Sequence, residues 1–141
     1  MLVINDDVQQ LIPQKPPMVM VGGLLEHTET FSISTFDIKS NNIFCGDGFL
    51  TEAGLIENMA QTAALRNGYQ CSLENKEALI GYIGSLKRIR IYSLPKTGES
   101  IETKVSVITS LMNVQIIKAE VFHDRKLVAE GEMNIFLQEN D

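Results

Sequence analysis

"GLIENMAQTAAL", residues Gly54 to Leu65, is the heart of the one long helical pattern in a chain of 141 residues. At about 100° per residue, Glu57, Asn58, Gln61 and Thr62 share a sector of about 140°, and Leu55, Ile56, Met59 and Ala63 fill the opposite one. The pattern extends from Thr51, a suitable N-cap, to Tyr69. On either side the sequence reads as strand. Met18 to His27 carries Gly22-Gly23 as an expected kink or bulge. In Thr30 to Ile38, Phe31 and Ile33 share one parity and Phe36 and Ile38 the other, which predicts a bulge near Thr35. Further strands are expected at Leu79 to Tyr92, Ser100 to Leu111, Asn113 to His123 and Lys126 to Leu137, the last two joined by a tight "HDRK" hairpin. In the final strand Leu127, Ala129, Gly131, Met133, Ile135 and Leu137 alternate with mostly polar residues. A short N-terminal helix is expected from Asn5, whose side chain can cap it. One helix cannot cover both faces of such a sheet. The expected class is therefore α+β, a curved antiparallel sheet wrapped around the helix. Strands this long also favour edge pairing between subunits, hence a homodimer.

Length fits one domain spanning residues 1–141. Twelve basic and eighteen acidic residues give a net charge of −6, which argues against a nucleic-acid-binding role. No apolar run is long enough to span a bilayer, and "MLVINDDVQQ" has aspartates where a signal peptide needs positive charge. Cys45 and Cys71 have no metal-like or disulfide-framework spacing. The expectation is a cytoplasmic protein with no metal and no cofactor.

Two features bear on chemistry. The helix's polar stripe is either an ordinary solvated face or a ligand-facing one. Glu57 and Gln61 lie one turn apart beside Ala53, Ala60 and Ala64, whose small side chains permit a close approach, and no Lys or Arg occurs from Thr51 to Leu65. In "LIPQKPPMVMV", Leu11 to Val21, three of the four prolines cluster around Gln14 and Lys15. Proline stiffens the backbone and biases the preceding residue towards extended conformations. Gln14 is thereby held in a defined direction. A third, smaller feature is "LKRIR", where strand alternation puts Arg88 and Arg90 on one face and Lys87 on the other. It reads as charge on an exposed edge or as a docking point for an acidic partner.

"LIPQKPPMVMVGGLLE", followed by "GLIENMAQTAA" and "GYIGSLKRIRIYSLPKTGE", resembles the 3-hydroxyacyl-acyl-carrier-protein dehydratases of the hotdog superfamily. Their signature is Leu-Pro-His-Arg-x-Pro before an apolar run, then a helix opening Gly-(apolar)-Glu-x-Met-Ala-Gln. The short link "FCGDGFLTEAG" looks like the form found in dehydratase-like proteins of aryl-polyene and related pigment pathways. The resemblance implies a hotdog fold dimerised edge to edge. It also implies that Glu57 matches the helix glutamate, which assists loss of the hydroxyl across the dimer, and that Gln61 matches the helix glutamine. The family's histidine base falls on Gln14, and a carboxamide does not titrate near neutral pH. His27 and His123 lie at strand ends, away from the motif.

Three readings follow. The first is dehydratase-like handling of acyl thioesters on acyl carrier protein. The second is a thioesterase using Glu57, with Gln14 holding the carbonyl. The third is a non-catalytic chain that binds carrier-bound acyl chains or pairs with an active, histidine-bearing paralogue in a heterodimer. In each, Gly54, Gln61, Met18, Met20 and Met59 are candidates to line the substrate site, with core packing as the alternative for the methionines. Glu57 is expected in a subunit-interface cleft close to Gln14 of the neighbouring chain. Lys87, Arg88 and Arg90 are the candidate carrier-docking cluster.

Overall fold

The computed structural model describes residues 1–77 and 79–138, with the backbone alone for Asn5. Thr51 caps the helix as expected. Its hydroxyl donates to the Phe44 carbonyl at 2.7 Å and receives the Gly54 N–H at 3.4 Å. The helix, α1, runs over Glu52–Leu73, a turn longer than its periodicity suggested. The strands are β1 (Val3–Ile4), β2 (Gly23–His27), β3 (Phe31–Asp37), β4 (Cys45–Gly46), β5 (Phe49–Leu50), β6 (Ile80–Ile91), β7 (Ser100–Leu111), β8 (Val114–His123) and β9 (Lys126–Gln138). A 3₁₀ helix occupies Asn5–Gln10; the Asn5 side chain expected to cap it lies outside the described residues.

Seven strands form one antiparallel sheet in the order β1-β2-β3-β7-β8-β9-β6, and β4 and β5 pair as a separate small hairpin. The β8–β9 turn places Asp124 and Arg125 at φ 48° and 67°, the left-handed pair that a two-residue hairpin requires. From α1 the chain crosses to the far edge, β6, before returning to β7 beside β3. Val105, Ile117, Ala119, Val121, Met133 and Ile135 turn one face of the sheet onto Leu55, Met59 and Ala63 of the helix. Val3, Val8, Ile12, Val21 and Leu24 close on Leu65 from another side. The helix is thus enclosed rather than laid on the sheet, the arrangement that the sequence predicted.

Three local expectations are corrected. The β3–β7 register is unbroken from Phe31–Ser106 to Asp37–Ser100, so no bulge exists near Thr35. Ser32 and Ser34, not Phe31 and Ile33, point inward with Phe36, because the helix presents polar partners to them. Phe31 faces outward under the Lys104 ammonium, 4.6 Å from the ring centroid. In β2 the irregularity falls between Leu24 and Glu26 rather than at Gly22-Gly23; residues 18–20 are held by side chains instead of by a ladder, and the Gly22 N–H donates to the Thr35 carbonyl at 2.8 Å. In β6, Lys87 faces Glu132 and Arg90 faces Glu130, with Arg88 at φ 52°. Two residues of β6 therefore oppose one of β9, and strict alternation fails. The register sets Lys87 and Arg90 on the same face, because directly opposed residues share a face.

Candidate functional site: a cavity beside Glu57

Three polar residues of α1 that read as a surface stripe are sealed in the interior. Asn58, Gln61 and Thr62 are each 0% exposed. Gln61 Nε2 donates to the Met18 carbonyl at 2.7 Å, and its Oε1 accepts the Met20 N–H at 2.6 Å. Asn58 Nδ2 donates to the Met20 carbonyl at 2.7 Å, while its Oδ1 accepts from the Thr103 hydroxyl at 2.5 Å. Thr62 pairs with Ser34 at 2.7 Å. One turn further on, buried Arg66 donates to the carbonyls of Thr28 and Glu29 and to the Ser32 hydroxyl. This seam does for residues 18–20 what a neighbouring strand would do.

The same helix holds the N-terminal segment at a second point. Gly68 packs so tightly against Leu11 that a Cβ there would collide with the Leu11 carbonyl oxygen. Leu11 and Met18 are thus both tied to α1, and the proline segment between them spans the gap. Gln14 sits on that span. It is half-buried, and its Oε1 is buried with no hydrogen-bond partner.

Under the span lies a cavity of about 250 Å³. Gln14, Glu57, Ala60, Ala64 and Asn67 line it, with Ile80, Ile83 and Ile135 on the sheet side. Glu57 is the only ionisable side chain among its described lining residues. Burial pushes the Glu57 carboxyl above its ordinary pKa, an effect that the nearby Gln61 amide offsets in part. Neither His27 nor His123 reaches this cavity. His27 is held by Ser32 and Gln70, and His123 pairs with Glu99 at 2.8 Å. A second hollow of about 350 Å³, bounded by Pro16, Pro17, Phe36 and Ile43, contains none of the candidate catalytic or substrate-lining residues.

Gln14 and Glu57 of one chain thus face one space. Gly54 is buried against Phe44 and Leu50 and does not line the cavity, so its smallness serves packing. Met20 and Met59 are fully buried core residues and Met18 is 41% exposed; none of the three lines the cavity. Gln61 acts on the span through backbone contacts. Lys87, Arg88 and Arg90 are all exposed, away from the cavity, and Arg88 is ion-paired with Glu132. Asn67 was not singled out from the sequence. Its signal was available, because Glu57, Ala60, Ala64 and Asn67 fall within about 80° of one another on a helix.

A family model for the ApeP-like dehydratases matches residues 6–141. The chain belongs to the ApeP-like dehydratase family. This ApeP-like chain is 26% identical over 136 residues to an uncharacterized thioester dehydrase of Halalkalibacterium halodurans, covering 92% of this chain and 86% of that protein. It is 25% identical over 145 residues to the 3-hydroxyacyl-acyl-carrier-protein dehydratase FabZ of Campylobacter fetus, covering 93% and 95% respectively. Its fold is similar to the dehydratase heterocomplex ApeI:P of Xenorhabdus doucetiae, with a TM-score of 0.80 at 15% identity over 95% of this chain and 91% of that one. The fold is the hotdog fold. No helix among the described residues is long and apolar enough to cross a membrane.

Proposed function

We propose that this chain binds 3-hydroxyacyl thioesters of acyl carrier protein and serves as the carboxylate-bearing half of a two-chain dehydratase. The observation that carries this reading is a cavity lined by Gln14 and one carboxylic acid of raised pKa, Glu57; the resemblance to the dehydratases puts their base at Gln14. Dehydration removes a proton from the carbon next to the thioester and hydroxide from the next carbon. A raised pKa suits Glu57 to the second task. It gives its proton to the departing hydroxyl, which leaves as water while the carbon–carbon double bond forms. The proton lost from carbon has no acceptor at Gln14 and goes to the histidine of a partner hotdog chain. Gln14 orients the substrate by hydrogen bonding. That the structural neighbour is a dehydratase heterocomplex and the Campylobacter relative a 3-hydroxyacyl-acyl-carrier-protein dehydratase supports this assignment. Lys87, Arg88 and Arg90 are the proposed dock for the acidic carrier, and the cytoplasm is the proposed setting.

The test is dehydration of a 3-hydroxyacyl carrier protein by this chain, by a histidine-bearing paralogue, and by the mixture. Turnover is expected to rise well above either component on mixing, and Glu57→Gln in this chain should remove the gain. Full activity of this chain alone would overturn the division of labour. A second reading, thioester hydrolysis, is favoured by the Glu57 carboxyl and the Gln14 amide lining one cavity. Release of free carrier thiol from a saturated acyl substrate would establish it in place of dehydration.

A further inference from the structure

The cavity has a direction. Glu57, Ala60, Ala64 and Asn67 make one stripe of α1, and ten residues of helix span about 15 Å, the length of about a dozen bonds of an extended chain. Between the carboxylate and Asn67 the helix contributes only two methyl groups, and Ile80, Ile83 and Ile135 wall the sheet side. The volume, about 250 Å³, is below that of a site for bulky ligands. At the far end the lining turns polar. Asn67 Nδ2 donates to Gln115 Oε1 at 3.2 Å, and Gln115 is itself only 8% exposed. Among the described residues Asn67 Oδ1 has no hydrogen-bond partner. Gln115 fixes the Asn67 amide by accepting from one of its two N–H groups, which leaves the oxygen available to a ligand. A bare methyl end would desolvate that oxygen without replacing its hydrogen bond, whereas a hydroxyl would satisfy it.

We infer that Ala60, Ala64 and Asn67 determine which acyl chains this site accepts: a slender chain lies over the two alanines, and its far end donates a hydrogen bond to Asn67. The inference rests on the thioester-binding reading above and adds the length and end group of the ligand. A larger side chain at residue 64 blocks the far half of the track and leaves the Glu57 end open. A short chain is therefore indifferent to it.

The experiment measures dissociation constants of pantetheine amides carrying butyryl, decanoyl and 10-hydroxydecanoyl chains, by calorimetry, on the purified chain in the oligomer it forms. Wild type should prefer the hydroxylated ten-carbon probe to decanoyl by about tenfold, the order of discrimination that one lost buried hydrogen bond produces. Ala64→Met should weaken both long probes at least tenfold and change butyryl by less than twofold. Asn67→Leu should abolish the preference for the hydroxyl while keeping decanoyl bound. Ala60→Met provides a second block should Ala64→Met fail to fold. Equal weakening of short and long probes, or an unchanged hydroxyl preference in Asn67→Leu, would overturn the inference and leave the thioester reading standing. Failure of wild type to bind any probe would overturn both.

Discussion

Helix α1 has two polar sides, and they differ in what their polar atoms touch. On one side Asn58, Gln61, Thr62 and Arg66 are buried and bonded to backbone carbonyls, a backbone amide and hydroxyls that the fold itself supplies. On the other, Glu57 and Asn67 face a cavity, under a Gln14 oxygen that has no partner. Buried polar groups are almost always satisfied, so a satisfied seam is explained by folding alone and an unsatisfied one asks for a ligand. Polarity on a helix does not mark a site. Unmet hydrogen-bonding capacity beside empty space does.

The sharpest way to break this contrast is to cut the closed side. Asn58→Leu keeps the branched shape of the side chain but orphans the Met20 carbonyl and the Thr103 hydroxyl. It should lower the unfolding free energy by about 3 kcal/mol, measured by urea denaturation. A loss under about 1 kcal/mol would show that water reaches the seam. Gly68→Ala comes next. At an ordinary helical position this change gains about 1 kcal/mol. Here the methyl meets the Leu11 carbonyl, so a net loss of about 1–2 kcal/mol is expected. Thioester affinity should fall with it, because the span carrying Gln14 is pushed away from the helix.

Changes on the open side should spare stability and strike function. Glu57→Gln should alter unfolding free energy by less than about 1 kcal/mol, an effect of ordinary size for a position outside the packed core. Partner-dependent dehydration should nevertheless fall about 10²–10⁴-fold. The smallest expected effect is in the pH dependence of stability. The folded chain holds the Glu57 proton more tightly than the unfolded chain, where the pKa is about 4.3. Its stabilising contribution is complete below that value and is lost as pH rises through the higher folded value. Subtracting the Glu57→Gln stability profile from that of wild type should reveal a decline over that window alone. A rise there would reverse the assigned direction.

Much of this was legible beforehand because it is local. The Thr51 cap, the bounds of β7 to β9 and the enclosed helix follow from spacing within short windows. The inward turn of Ser32 and Ser34 was not legible, because it depends on Thr62 and Arg66 arriving from another element. The same holds for Gly68, whose meaning lies in a carbonyl 57 positions earlier in the chain. At the site, the closeness of Ala60 and Ala64 to Glu57 was readable as room for a ligand, whereas the meeting of Gln14 and Glu57 within one chain depends on how the proline span crosses the helix. Gln61 was misread as substrate-facing because its partners are backbone atoms of a segment that looked like strand. Arg66, one residue past the stretch without basic side chains, was passed over. Its burial against neutral acceptors has no counterpart in sequence pattern.

The outer strand β6 has a consequence for how the molecule meets others of any kind. Its ladder to β9 is interrupted between Ile83 and Ser85 and again between Lys87 and Arg90, so its regular runs are four, three and two residues long. An exposed strand edge is normally an invitation to indefinite sheet growth. A strand kinked twice refuses that invitation to an arbitrary segment, which would find no more than four residues in step before losing register. An edge of this form admits a partner shaped to its irregularities and resists fibrillar addition of the rest.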